Sequence, residues 1–476
     1  MSLLKCKNYK ILELKKKKLL ILTTSVFTDR MLQHSTFLGT LTKEFTVEIW
    51  AKSFVSNPND WTIENVSVKP FPELKPLPNW TSYLRRINEY AWMYALDAKS
   101  IAINIKYKTK KTAKLKFLLF LGKLVSLLHL HFLMEWLVFK SVQVSERNPF
   151  LASDLKDTSL DYLMVLNPFW VEEPLVAIEA KKMNVSIVSI IPSWDNITTK
   201  SRMLYTSDYY GVWSSVRIQE LNKYYPYTLK TKNFVFGTPQ YDVFSNPDFL
   251  MDKKVFYNQY GLNEELPLLL YTLGSPLFIT SEIDVCLKFC KLASTEGLLD
   301  AFQILVRPHP IKDFSTYIQK FKDIDNRIKI QSEVQTSSKQ KYRFMDKQML
   351  ENWVSTFHYS DLVVATSSTT LLDASMLNKP HINITENLSD DKKFDSFLRD
   401  VSYGFKHLED LNNSDLLNNV KNWDAFFEQL KAFSKDKNSI KNTSNALVLH
   451  LCEYKNEGKY GKLFAEQIIK NLKEEC

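Results

Sequence analysis

Residues 360–384 read SDLVVATSSTTLLDASMLNKPHINI, and the pattern in them changes three times. An apolar run at 362–365 gives way to the hydroxyl side chains Thr366, Ser367, Ser368, Thr369 and Thr370. Residues 371–377 follow with helical spacing, and Lys379-Pro380 precedes a second apolar run. Short apolar runs bounded by turn residues are buried strands, so the segment is expected to run strand, turn, helix, strand. In a parallel α/β sheet the turn after a strand carries a helix N-terminus to the ligand edge, where unpaired N–H groups and the helix dipole favour an anion. Ser and Thr cap such ends and can donate to phosphate oxygens. Capping alone also accounts for Ser367 and Thr369, and the choice depends on the rest of the chain.

The same rhythm recurs along the chain. Residues 19–23, 45–50, 162–166, 185–191, 208–213 and 233–236 are expected strands of a first sheet, with helices at 30–41, 81–98 and 173–182. A polar, helix-prone connection occupies 244–266. Strands of a second sheet are expected at 268–273, 302–306, 328–330, 362–365 and 381–384, the last closing it, and residues from 422 onward are helical and charged. The fold class is therefore α/β, with two facing Rossmann-like, doubly wound domains at 1–243 and 267–421, an interdomain cleft, and C-terminal helices at 422–476. A chain of 476 residues suits two cores better than one. Thr23, Thr24, Ser25 and Thr28, at the end of the first strand, belong to the cleft edge.

Composition narrows the function. Hydrophobic content of 45% and charged content of 24% are those of a soluble globular protein. Lys and Arg number 62 against 53 acids, and the resulting net charge of +9 suits an anionic ligand or an anionic membrane surface. No basic-aromatic module points to nucleic acid. With 10 glycines in the whole chain, dinucleotide fingerprints and P-loops of the usual kind are absent. Cys6, Cys286, Cys290, Cys452 and Cys476 have no metal-ligand spacing, so neither a disulfide framework nor a bound metal is expected, and the compartment reads as reducing, hence cytoplasmic. Lysines 15–18 before the apolar residues 19–22 imitate a signal peptide, but the run is short and Asp29-Arg30 follows, so a first buried strand is expected.

The region between Lys106 and Phe139 stands apart. Lysines at 106, 108, 110, 111, 114 and 116 precede an apolar run at 117–139 that is about long enough to span a bilayer. Lys123, His129, His131 and Glu135 interrupt it, and charges at such depth cost roughly 2.5–3.5 kcal/mol each, so a transmembrane helix is not expected. Two readings stay open: a long helix packed under the first sheet, or a helix that dips into an anionic membrane surface and holds the protein at the inner face.

Arg307-Pro308-His309-Pro310, taken with Ser360-Asp361, Ser367-Ser368, Leu372-Asp373 and Asn378-Lys379-Pro380, resembles the C-terminal domain of CDP-glycerol glycerophosphotransferase-like proteins. It is similar to other GT-B glycosyltransferases of bacterial surface polysaccharides, and more distantly to UDP-N-acetylglucosamine 2-epimerase. Residues 236–242, Phe-Gly-Thr-Pro-Gln-Tyr-Asp, resemble the G-x-P-x-x-D segment that joins the two domains in that superfamily. The resemblance implies a nucleotide-activated donor on the second domain, a glycan or lipid-linked acceptor on the first, and no cofactor beyond the nucleotide-sugar co-substrate. It further implies that Ser367, Ser368 and Thr369 hold the diphosphate and that Asp373 accepts from the ribose. Gly274 and Ser275 would admit the nucleotide, while Arg307 and His309 neutralise leaving-group charge without a metal.

An inverting transfer needs a carboxylate or His in the first domain as base. Asp195 is the candidate, with Asp29 second and Glu172 and Glu173 third. Where the glycerophosphotransferases carry Trp-His-Gly-Thr, this chain has Trp194-Asp195-Asn196-Ile197-Thr198-Thr199-Lys200. The missing His favours a sugar over a polyol phosphate. The expected function is a metal-independent glycosyltransferase building a surface glycan or glycolipid. The alternatives are a CDP-glycerol-type polyol phosphotransferase and a non-catalytic GT-B-like subunit that binds glycan or lipid.

Overall fold

A computed structural model describes residues 16–56, 58–145, 151–274, 282–309, 315–331, 346–386, 388–455 and 457–473. The first sheet holds β1 (Lys17–Thr23), β2 (Phe45–Ala51), β3 (Val66–Pro70), β4 (Tyr162–Val165), β5 (Ser186–Ile190), β6 (Tyr209–Val212) and β7 (Lys232–Val235), in the order β3-β2-β1-β4-β5-β6-β7. The second holds β8 (Leu268–Thr272), β9 (Gln303–Arg307), β10 (Ile328–Ile330), β11 (Leu362–Ala365), β12 (His381–Ile384) and β13 (Asn419–Val420), in the order β10-β9-β8-β11-β12-β13. Every pairing is parallel. Parallel strands covered on both faces must be apolar on both faces, and β4, β6, β8, β11 and β12 are buried at every residue. Strand order reverses between β1 and β4 and between β8 and β11, which puts a ligand crevice at the C-terminal ends of each sheet.

Four details depart from the sequence reading. An unexpected edge strand, β3, runs into the proline loop; its side chains are mostly exposed, and Pro70 is tolerated because it ends an edge strand. The two-residue β13, rather than β12, closes the second sheet. The expected helix at 30–41 is two helices, Val26–His34 and Phe37–Leu41, the first starting early because the Ser25 side chain caps it by accepting from the Thr28 N–H. The apolar run at 117–139 also forms two helices, Ala113–Leu127 and His131–Val144, broken at His129 in a left-handed backbone conformation (φ 56°). Among the described residues no helix is long and apolar enough to cross a membrane.

The C-terminal helices divide between the domains. Trp423–Lys435 buries Phe426 and Phe433 in the second core, where Cys286 and Cys290 are packed as buried free thiols. Tyr460–Lys473 crosses back to the first domain: Phe464 stacks on Phe37 with ring centroids 4.3 Å apart, and the Tyr162 hydroxyl donates to the Leu472 carbonyl at 2.9 Å. Two residues of the segment 236–242 explain this docking. Asp242 accepts from the N–H groups of Tyr460 (3.0 Å) and Gly461 (2.8 Å), capping the helix with negative charge. Gly237 has φ 74° and lies where a Cβ would run into the Tyr460 ring. A Cβ at Gly461 would lie 2.7 Å from the Phe37 nitrogen and 2.8 Å from that of Thr36. Backbone cannot yield as a flexible side chain does, so Gly461→Ala is expected to lower unfolding free energy by about 2 kcal/mol in urea titration.

Candidate functional site

At the first-domain edge, short polar side chains from successive strand ends bond to one another. Asp29, 1% exposed, accepts from the hydroxyls of Thr23 (2.6 Å) and Ser53 (2.7 Å), which ties the end of β1 to the turn after β2. Burial raises its carboxyl to about 6 against the pull of those two hydroxyls. Glu173, fully buried, accepts from the Thr24 hydroxyl and the Asn167 N–H, both at 2.7 Å, and so joins the ends of β1 and β4 at the switch point. Glu172 is tied to Lys52. Asp29 and Glu173, at 1% and 0% exposure, are sealed from the cleft, whereas Asp195 is half-buried, so these two base candidates are structural.

Glu173 also sets a pH dependence. Burial raises its carboxyl from the ordinary 4.5 to about 8, so the folded chain keeps a proton that the unfolded chain releases. The stability from this group is fully present below the unfolded value and is lost as pH rises through about 8. Glu173→Gln keeps an acceptor for Asn167 and cannot ionise. Compared with wild type, its stability is expected to fall less between roughly pH 5 and pH 8, by about 2 kcal/mol, measured by denaturant titration at each pH.

The second domain repeats the device. Glu282 opens the helix Glu282–Thr295 and accepts from the Gly274 N–H at 2.6 Å and the Thr366 hydroxyl at 2.5 Å, linking the ends of β8 and β11. Burial raises it to about 7. The Gly274 amide, expected to face a nucleotide, is thus engaged within the protein; Ser275 lies outside the described residues.

The hydroxyl turn after β11 is only partly open. Ser367 has φ 39°; its N–H donates to Asn383 Oδ1 at 2.7 Å, and its hydroxyl is bonded to that of Ser402 at 2.6 Å. It therefore faces inward, away from the expected diphosphate contact. The Ser368 hydroxyl accepts from the Thr370 N–H at 3.4 Å, and Thr369 is exposed.

Asp373 sits where the domains meet. It accepts from the Tyr241 hydroxyl at 2.9 Å and from Trp353 Nε1 at 3.3 Å. Arg30 of the first domain lies over the Trp353 ring, 4.4 Å from its centroid. Burial raises Asp373 to about 6 although Tyr241, Arg30, Trp353 and Arg307 all favour its charged form. With both oxygens bonded and 8% exposure, it is a bridge between domains instead of an open ribose acceptor. Arg307, at the end of β9, donates to Gln331 Oε1 at 2.9 Å, and Gln331 in turn donates to Tyr260 and Thr356. Burial pulls its guanidinium down to about 10, opposed by Asp373 and Tyr260, so it stays charged at neutral pH. His309 follows two residues on, half-buried.

Asp195 follows β5 at the cap of the short helix Asn196–Thr199 and accepts from the Ser193 hydroxyl, from Asn196 Nδ2 at 3.0 Å and from the Thr199 hydroxyl at 3.0 Å. Across the cleft, the second domain contributes His407 on the helix Lys406–Asn412. Its ring meets Trp194 edge-on, with centroids 4.9 Å apart, and its Nδ1 is buried with no hydrogen-bond partner among the described residues. Burial opposes the charge on Asp195, but the His407 ring, Ser193, Lys200 and Thr199 hold its carboxyl below the usual range. Burial lowers His407 to about 4 against the attraction of Asp195. Other contacts fix this approach. Ser100 of the first domain caps the His407 helix by accepting from the Lys406 N–H at 3.0 Å, and Asp400 receives Lys106 at 2.6 Å and the Tyr107 hydroxyl at 2.7 Å. No sequence motif surrounds His407; only the fold brings it to Asp195. Among the described residues no group of His, Cys, Asp and Glu side chains could hold a metal ion.

No family model matches the chain, and no curated protein matches it in sequence. Solved structures do resemble it. A UDP-N-acetylglucosamine 2-epimerase superposes with a TM-score of 0.53 at 10% identity, over 96% of this chain and 97% of that one. The S. aureus protein MnaA, solved with UDP, superposes with a TM-score of 0.51 at 12% identity, over 96% of each chain. At such identities the likeness is one of fold, and the fold is GT-B: two Rossmann-like domains facing each other across a cleft.

Proposed function

We propose that the chain is a metal-independent glycosyltransferase that moves a sugar from a nucleotide-activated donor to a surface glycan or glycolipid. The observation that carries this reading is the pair of polar clusters on facing sheet edges, Arg307 with His309 on the second domain and Asp195 with His407 at the domain junction. The donor diphosphate would lie along the second-domain edge, met by Arg307, His309, Ser368 and Thr369. Asp195 would take the proton of the acceptor hydroxyl as its oxygen attacks the anomeric carbon. The bond from that carbon to the diphosphate oxygen breaks, the nucleoside diphosphate leaves with the electron pair, and Arg307 and His309 offset its charge. At rest Asp195 is surrounded by donors and weakly basic. The hydroxyls of Ser193 and Thr199 can turn to other acceptors, and an incoming hydroxyl that displaces them would raise its basicity.

A second reading, isomerisation of the donor sugar without an acceptor, is favoured by the likeness to 2-epimerases over nearly the whole of both chains. Proton NMR of the protein with UDP-N-acetylglucosamine separates the two. A transferase leaves the configuration at the sugar's C2 unchanged and releases UDP only when acceptor is added; a C2-epimerised sugar signal without acceptor would replace the transferase reading with the second. CDP-glycerol in the same assay, releasing CMP on addition of acceptor, would instead support the polyol phosphotransferase.

A further inference from the structure

The hairpin formed by Ala113–Leu127 and His131–Val144 buries Leu115, Leu118, Val138 and Val142, and polar side chains with them. Its inward side carries Glu135, Ser141 and Ser145, and Glu135 is met by Arg202 at 2.7 Å. Arg202 is itself held between Trp92 and Tyr225, with its guanidinium 4.0 Å and 4.5 Å from the ring centroids. Glu135, one of the polar interruptions that exclude a membrane span, therefore fastens the hairpin to the first domain. The outward side carries Phe117 (60% exposed), Phe120 (62%), Leu127 (67%), Phe132, Leu133 and Trp136 (52%). Large apolar side chains exposed together on neighbouring turns of a folded protein mark an interaction surface.

Charge identifies the partner. Residues 99–144 contain nine lysines and one acid, Glu135, which Arg202 already neutralises. Lys110, Lys111, Lys114, Lys116, Lys123 and Lys140 are exposed. Lysines at the border of an apolar helical face match an anionic bilayer, where the aromatic and aliphatic side chains enter the acyl boundary and the ammonium groups meet the phosphates. A second copy of the chain on this face would set like charges against one another. We propose that residues 113–144 dock the protein on an anionic phospholipid surface by inserting the hairpin's apolar face without crossing the bilayer.

Docking would also place the cleft. The helix Lys99–Lys108, which leads into the hairpin, packs against both the helix Asn196–Thr199 beside Asp195 and the second-domain helix Lys392–Gly404. The turn bearing Asp195 is then held near the lipid surface, where a lipid-linked acceptor would lie. That last step rests on the transferase reading; the docking itself does not.

The test is flotation of the purified chain with extruded vesicles of phosphatidylcholine alone or mixed with phosphatidylglycerol. Roughly tenfold stronger binding to the anionic vesicles, weakened by salt, is expected. The double variant Phe120→Ser, Trp136→Ser should lose the binding with an unchanged melting temperature, since both side chains are exposed. Equal binding to neutral vesicles, no binding to either, or undiminished binding by the variant would overturn the proposal. So would a concentration-dependent dimer in sedimentation velocity that the double variant abolishes while wild type ignores lipid. Binding to lipid by a chain that handles no nucleotide would leave docking intact and remove only the transferase reading.

Discussion

Asp195→Asn is expected to lower kcat by roughly 10²–10⁴-fold while nucleotide binding and melting temperature stay near wild type. The amide keeps an oxygen to accept from Ser193 and Asn196, and its nitrogen can donate to the Thr199 hydroxyl, so the turn after β5 keeps its bonds. What is lost is the only function an amide cannot supply, acceptance of the acceptor's proton. The pH profile gives a second readout. Because the donors around Asp195 hold its carboxyl below the usual range, the wild-type rate should persist into mild acid and fall only as that carboxyl is protonated. His407→Gln removes the ring beside Asp195 and should move that acid limb upward. A variant D195N with wild-type kcat would remove Asp195 from the chemistry.

Arg307→Ala is expected to lower kcat/KM by roughly 10²–10³-fold. Arg307 is charged at neutral pH and fixed by Gln331, which is fixed in turn by Tyr260 and Thr356, so the guanidinium is held in place before any ligand arrives. Charge held ready in this way stabilises a departing diphosphate without reorganisation. Arg307→Lys keeps the charge but loses the planar fork, and an intermediate rate is expected. Truncation leaves the Gln331 oxygen without its donor, so thermal unfolding of R307A should be measured alongside; a rate loss that follows the melting temperature instead of the substitution would contradict the assigned role.

Much of the fold was legible because parallel strands buried on both faces are written as uninterrupted apolar runs. β1, β8 and β11 could be read directly. The edge strands β3 and β13 could not, since one is mostly exposed and the other is two residues long. The break at His129 gave no distinct signal, because no Gly or Pro marks it and Lys123, His131 and Glu135 interrupt the same run without breaking a helix. The site divides in the same way. The turns that carry Asp195, Arg307 and the hydroxyls after β11 follow strand ends, and topology alone predicts where strand ends go. Which groups are open is a matter of partners distant in sequence. Ser367 is consumed by Asn383 and Ser402, Asp373 by Tyr241 and Trp353, and Gly274 by Glu282, and none of these pairings has a local pattern. His407 escaped for the same reason, and so did the matched pair Glu173 and Glu282, which lie in unlike sequence contexts yet close the same gap in each sheet.

The central claim is that a nucleotide-activated sugar binds in the cleft against the second-domain edge. Calorimetric titration of the chain with UDP-N-acetylglucosamine, a CMP-sugar and CDP-glycerol, repeated with Arg307→Ala, tests it most directly. The UDP-sugar, which carries the diphosphate, is predicted to bind saturably, with R307A weakening it at least roughly tenfold and D195N leaving it unchanged. No binding of the UDP-sugar, or binding that R307A does not weaken, would contradict the account.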